Sequence, residues 1–257
     1  MPTSRKPLFD LEIHWPRKVR TAADAVRFID AVGYCLLFPI RNLPLPSLYY
    51  AVARRDIHLG PSWDKYCEMI WMWKDELPRK GRAFYAKYFK GRGTFISLKL
   101  LPHFLALEET AAAPDDHESF YAAGRISHDA CVIWRALEQH GPLATLELRH
   151  ACKLESTAGN IRFKRAMLEL QRRLLVVHFG AEQETAAWPS GRFALTSRAF
   201  PRQVAAARRL AVAAARAAVA RKYFRWHPAA QPARLARLFG WSLAEAIEAV
   251  ENTLTPR

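Results

Sequence analysis

The stretch from Ser127 to Ser197 constrains this chain more tightly than any other. Ser127 is a good N-cap for the helical run HDACVIWRALEQH, which Gly141-Pro142 ends. LATLELRHACKL reads as a second, short helix, ESTAGN as a turn and IRFKRAMLELQRR as a third helix. LLVVHF then reads as a strand, GAEQETAAWPSG as a loop and RFALTS as a return strand. Three helices followed by a two-stranded hairpin is the winged-helix order.

Helical periodicity dominates elsewhere too. Thr21 caps AADAVRFIDAVG, and Gly33 stops it. Pro39, Pro44 and Pro46 interrupt the next segment before a helix restarts near Ser47. A further helix is expected around 98–109, and TAAAPDDHESF reads as a linker with Asp115 or Asp116 capping the next helix. After Pro201, an Ala/Arg-rich helix over roughly 204–226 leads to a compact helix-turn-helix turning at Gly240. The expected fold is mainly α, with tandem winged-helix or helix-turn-helix units and small β-hairpin wings. This order divides the chain into three domains: 1–113, helical and winged-helix-like; 114–200, a central winged helix; and 201–257, a helix plus a wingless helix-turn-helix.

Charge narrows the partner. Lys and Arg number 39 against 24 Asp and Glu, a net charge of +15. Such a surplus points to a polyanion, and nucleic acid is favoured over an anionic membrane. A basic bias of the source genome is the bland alternative. The N-terminus carries Asp10 and Glu12 and no apolar signal core, and no apolar run is long enough to span a membrane. Four cysteines without a CxxC pair and nine scattered histidines suit a reducing cytoplasm and give no metal-ligand spacing. Gly91-Arg92-Gly93 lacks the later glycine and lysine of a phosphate loop. No metal and no cofactor are expected. The expected location is the cytoplasm, in association with the nucleoid.

Within the third helix of the central unit, Phe163, Met167, Leu170 and Leu174 share one face and should be core. Arg162, Arg165 and Arg172 lie on the other side with Glu169 between them, while Asn160 and Lys164 sit near the helix start. Arginine forks to guanine and asparagine to adenine, so these residues are candidate contacts to double-stranded DNA. In the wing, Trp188, Arg192 and Arg198 are candidates to touch backbone or minor groove. The alternative is a solvated basic face with Asn160 as an N-cap.

The central unit, the Ala/Arg-rich helix and ARLFGW together resemble the winged-helix DNA glycosylases that unhook interstrand crosslinks and remove bulky alkylpurines, the AlkZ/YcaQ type. The resemblance runs from about Thr21 to the end and implies tandem winged helices around a DNA channel. It also implies a short, divergent branch, without the family's C-terminal strands after Arg257. WMWKDELP sits where that family carries a tryptophan, a His-Glu pair and a later Leu-Pro, with Lys74-Asp75 in the His-Glu register. The family's glutamine-x-glutamine or glutamine-x-aspartate motif is not retained. Its place after Gly33 reads Tyr34-Cys35-Leu36-Leu37-Phe38-Pro39. The resemblance implies a protein that binds DNA, damaged or intact, and is related to repair enzymes that excise alkylated or crosslinked bases. The alternative is a non-catalytic regulator or lesion-recognition protein.

The run from Trp71 to Ser97 mixes rings and cations. Trp71, Trp73, Phe84, Tyr85, Tyr88 and Phe89 offer stacking faces, and Lys87, Lys90 and Arg92 are candidate backbone contacts. Asp75, or Glu76 beside it, is the candidate catalytic acid, with Lys74 as an amine nucleophile or phosphate clamp. Against this stands a structural reading, in which Lys74, Asp75 and Glu76 form surface ion pairs and the rings belong to the core.

Overall fold

The computed structural model describes residues 15, 17–54, 63–108, 116–184 and 189–254. The chain is mainly helical with two small antiparallel sheets.

The first unit comprises α1 (Ala22–Val32), β1 (Tyr34–Leu36), α2 (Leu48–Ala53), α3 (Lys65–Arg79), β2 (Phe84–Lys87) and β3 (Gly93–Ile96), followed by α4 (Leu101–Leu107). Thr21 caps α1 in a capping box with Asp24, and Gly33 stops it at a positive φ of 85° that favours glycine. Ser47 caps α2 by accepting from the Tyr50 amide.

After α5 (His117–Ala122), the second unit comprises α6 (His128–His140), β4 (Leu143–Ala144), α7 (Thr145–Ala151), α8 (Thr157–Arg172), β5 (Val176–Glu182) and β6 (Ser190–Leu195). Asp116 caps α5 and Ser127 caps α6, as the sequence suggests. The third helix, however, starts earlier than expected. Ser156 caps it, so TAGN forms its first turn and Asn160 lies inside the helix rather than capping it. Phe163, Met167 and Leu170 are buried, as is Leu174, but Leu174 lies past the helix end at a left-handed φ of 56°.

Both units run helix, strand, helix, helix, strand, strand. Their sheets share one order, β1-β3-β2 and β4-β6-β5, in which the first strand pairs with the last. The two units cross-pack, with α3 against β5, α8 against β2, and β2 against β5.

The remaining helices are α9 (Thr196–Ala199), α10 (Pro201–Ala207), α11 (Val212–Trp226), α12 (Pro232–Phe239) and α13 (Leu243–Leu254). The Ala/Arg-rich segment is thus two helices, α10 and α11, rather than one. α11 packs on α4 and α13.

The first sheet is buried on both faces. Side chains alternate along a strand, so Tyr34, Leu36, Phe84, Ala86 and Ile96 join a core shared with α4, α11 and α13. Cys35, Tyr85 and Phe95 point the other way, into a core with α1, α2 and α3. A third core fills the second unit around Trp134, Phe163 and Leu170. The rings of the Trp71–Ser97 run are therefore mostly structural. Trp73, Phe84, Tyr85 and Phe89 are buried, Tyr88 is half-buried, and Trp71 is exposed.

Candidate active site and basic surface

Asp64 starts α3 by accepting from the amides of Tyr66 and Cys67 at 2.9 and 2.8 Å. About three turns on, the helix presents Lys74 and Asp75 to the second unit. Pro78 in the last turn supplies no amide to the Lys74 carbonyl, and the helix ends at Lys80.

Lys74 is buried, and its Nζ lies 4.2 Å from the Trp71 ring centre and 2.6 Å from Asp75 Oδ1. The same oxygen is hydrogen-bonded to Nε2 of His178, which comes from β5, 103 residues away in sequence. Asp75 Oδ2 has no protein partner among the described residues, and the Asp75 side chain is 21% exposed. One carboxylate oxygen is pinned by two donors while the other is left available.

The His178 ring packs edge-on to Tyr85 at 5.7 Å and to Phe193 at 5.3 Å. A glycine makes room for each of two rings. A Cβ on Gly191 would fall 2.6 Å from His178 Cε1, and one on Gly93 would fall 2.2 Å from the Tyr85 hydroxyl. The register of β5 against β6 slips between His178 and Ala181, and within that irregularity Gly180 (φ 106°) sits against Arg79 of α3.

The electrostatics are set by this packing. Burial pushes the Asp75 carboxyl up, but the hydrogen bonds and charges of His178 and Lys74 outweigh it and hold the group below its ordinary value. Burial lowers His178; the bond to Asp75 opposes this, and the Lys74 and Lys87 charges add to the lowering. Burial also lowers Lys74, against the pull of Asp75. Burial and then the Asp75 charge raise Tyr85, whose hydroxyl stays protonated. At neutral pH the site holds an ionised Asp75 and a neutral His178 that donates from Nε2. A carboxylate in this state is a weak base and a good electrostatic partner for developing positive charge.

Glu76 points elsewhere, pairing with Lys80 at 2.6 Å beside a small groove bounded by α1 and Arg82. Lys87 is exposed, with its amide bonded to Gln171 of α8. Arg162, Arg165 and Arg172 line one groove of about 860 Å³ with Arg173, Asp129 and Glu169. Arg162 in that groove is not free: its Nε donates to Asp129 at 2.8 Å and its Nη2 to the other oxygen. Glu169 meanwhile accepts from the Ser127 amide and hydroxyl. Lys164 and Arg165 are exposed, and Asn160 is half-buried. Arg192 is tied to the Pro142 carbonyl at 2.8 Å and to Glu182. Arg92 is exposed, Lys90 lines a different cavity, and Trp188 lies outside the described residues.

Sequence reasoning missed His178, Tyr85 as its neighbour, and Gln171. The one available signal for His178 was a polar residue within the apolar strand run VVHF, since a buried polar group requires a partner. Among the described residues, no group of three or more His, Cys, Asp or Glu could hold a metal ion, and no helix is long and apolar enough to cross a membrane.

The fold and site define a mainly helical protein of two cross-packed units that share a Lys-Asp-His cluster in which Lys74 and His178 are buried and Asp75 is partly exposed. The chain belongs to the AlkZ-related family, whose model matches residues 19–240. No curated protein and no solved structure matches it.

Proposed function

We propose that this protein binds double-stranded DNA through tandem winged-helix units and releases alkylated or crosslinked bases by cleaving the N-glycosidic bond, with Asp75 as the working carboxylate. The winged-helix reading is supported by the element and strand order shared by the two units. Membership of the AlkZ-related family supports a repair-enzyme relative. The observation that carries the reading is the state of Asp75: ionised, fixed through Oδ1 by Lys74 and His178, and open at Oδ2. Glycosidic cleavage builds positive charge on the sugar, and a fixed carboxylate stabilises it. Lys74, whose ammonium is held by Asp75 and the Trp71 ring, serves to orient that carboxylate. Exposed Lys87, Arg92, Lys164, Arg165 and Arg172 supply cations for the backbone, and Asn160 a base-edge contact.

A second reading, DNA binding without chemistry, is favoured by one observation. Tyr34, Cys35, Leu36 and Leu37, at the place of the family's glutamine motif, are buried core. Incubation with alkylated and crosslinked duplexes, followed by alkali to reveal abasic sites, separates the two. Base release by the parent and none by Asp75→Asn, with duplex affinity kept, is expected. Full release by Asp75→Asn refutes the role of Asp75, and no release by the parent on any duplex leaves the second reading.

A further inference from the structure

A cavity of about 520 Å³ lies between the first unit and α12, away from Asp75. Its volume is that of a small-molecule site. Lys90, Arg234 and Arg237 line it, and no Asp or Glu does. None of the three cations makes an ion pair among the described residues. Like charges gathered around one space without a counter-charge repel unless an anion neutralises them.

Two further features point to the same occupant. The N-terminus of α12 opens on the cavity, and Gln231 at its N-cap makes no side-chain bond to the first turn. Pro232 at the first position has no amide and the Arg234 amide already donates to the Gln231 carbonyl at 2.9 Å, which leaves the Ala233 amide and the helix dipole to favour an anion. Independently, Tyr223 of α11 lines the cavity while only 2% exposed, and its hydroxyl has no hydrogen-bond partner among the described residues. The hydroxyl oxygen itself is open to the cavity, where it can donate to a bound acceptor. The backbone is also committed here. Lys90 holds a left-handed conformation (φ 49°, ψ 33°) immediately before Gly91 at φ 71°, a geometry that ordinary side chains adopt at a cost.

We propose that this cavity binds a phosphate group, held by Lys90, Arg234 and Arg237, the start of α12 and the Tyr223 hydroxyl. Three cations, one helix-start amide and a neutral donor suit a multiply charged oxyanion better than a single carboxylate. The phosphate belongs either to a free phosphorylated small molecule or to a nucleic-acid backbone.

Sodium pyrophosphate titrated calorimetrically into the full chain tests the site. Saturable binding is expected, weakened more than about tenfold in Arg234→Ala/Arg237→Ala and severalfold in Tyr223→Phe. Arg165→Ala/Arg172→Ala, in the other groove, should bind pyrophosphate as the parent does. Unchanged melting temperatures establish that the variants fold. Displacement of a fluorescent duplex by pyrophosphate, with weaker duplex binding by the double variant, assigns the site to the nucleic-acid backbone. Simultaneous binding of both assigns it to a free phosphorylated ligand. Absence of saturable binding by the parent, or equal affinity in the Arg234/Arg237 variant, overturns the proposal.

Discussion

Gln171, near the end of α8, accepts the backbone amide of Lys87 on β2 at 3.1 Å, across the boundary between the two units. Asp75 makes the reciprocal contact, reaching from α3 to His178 on β5. Each unit's third helix therefore grips the first hairpin strand of the other. The candidate site is assembled by this docking, and no single unit contains it.

Gln171 is buried, and its amide nitrogen also donates to the Met167 carbonyl. Gln171→Leu removes the acceptor and leaves the Lys87 amide unsatisfied. A loss of about 1–3 kcal/mol is expected, read as a lower urea midpoint. An unchanged midpoint would show that the cross-unit bond contributes nothing.

His178 makes stability pH-dependent. Its folded pKa lies below the ordinary 6.5 because burial disfavours the imidazolium, so the unfolded chain takes up a proton first. Stability is fully present above 6.5 and falls as pH drops below it towards the folded pKa. His103, lowered by burial and by Arg221, acts with the same sign. Urea denaturation at stepped pH should show the decline, and His178→Gln should flatten part of it. A decline of equal slope in the variant would place the titration elsewhere.

Gly93→Ala should destabilise by about 1–3 kcal/mol through overpacking, because the new Cβ would fall 2.2 Å from the Tyr85 hydroxyl. Tyr85→Phe removes that oxygen and leaves the next ring atom at 3.0 Å. The double variant should therefore recover part of the loss, a coupling that a thermodynamic cycle measures directly. Simple additivity would mean the strand shifts instead of the ring.

Arg162 and Arg165 stand on the same helix but should behave differently. Arg162→Ala strips Asp129 of its guanidinium partner at the start of α6 and leaves only the more distant His128, so it should lower the melting temperature as well as any duplex affinity. Arg165→Ala touches no ion pair and should cost only binding, by about 1–3 kcal/mol, with a shallower salt dependence. Filter binding across a salt series together with melting curves decides the matter. If neither variant binds more weakly, α8 does not meet DNA.

The caps were legible in the sequence because they are local. Thr21, Ser47, Asp116 and Ser127 each accept an amide three residues on, and Gly33, Gly141 and Gly240 end helices at positive φ. The first sheet was not legible. Its strands are buried on both faces, so YCL, FYAK and GTFI show no polar alternation and their rings read as stacking surfaces. Lys74 and Asp75 stood out as a charged pair in an aromatic run, but nothing nearby announced that His178 would complete them. Their meeting depends on how two units dock, which local periodicity does not encode.

The two-sided burial of the β1-β3-β2 sheet bears on how the chain is made. One face of that sheet is covered by α1, α2 and α3, and α4 covers part of the other, but the rest of that face waits for α11 and α13, more than 100 residues after β3. On a ribosome adding about 5–20 residues per second, the strands emerge roughly 10–30 s before the helices that cover them. For that interval Tyr34, Leu36, Phe84 and Ile96 have no completed core to enter. The earlier-made of the two units is thus the later to close, and the nascent chain carries a partly uncovered apolar sheet face while the second unit is being made.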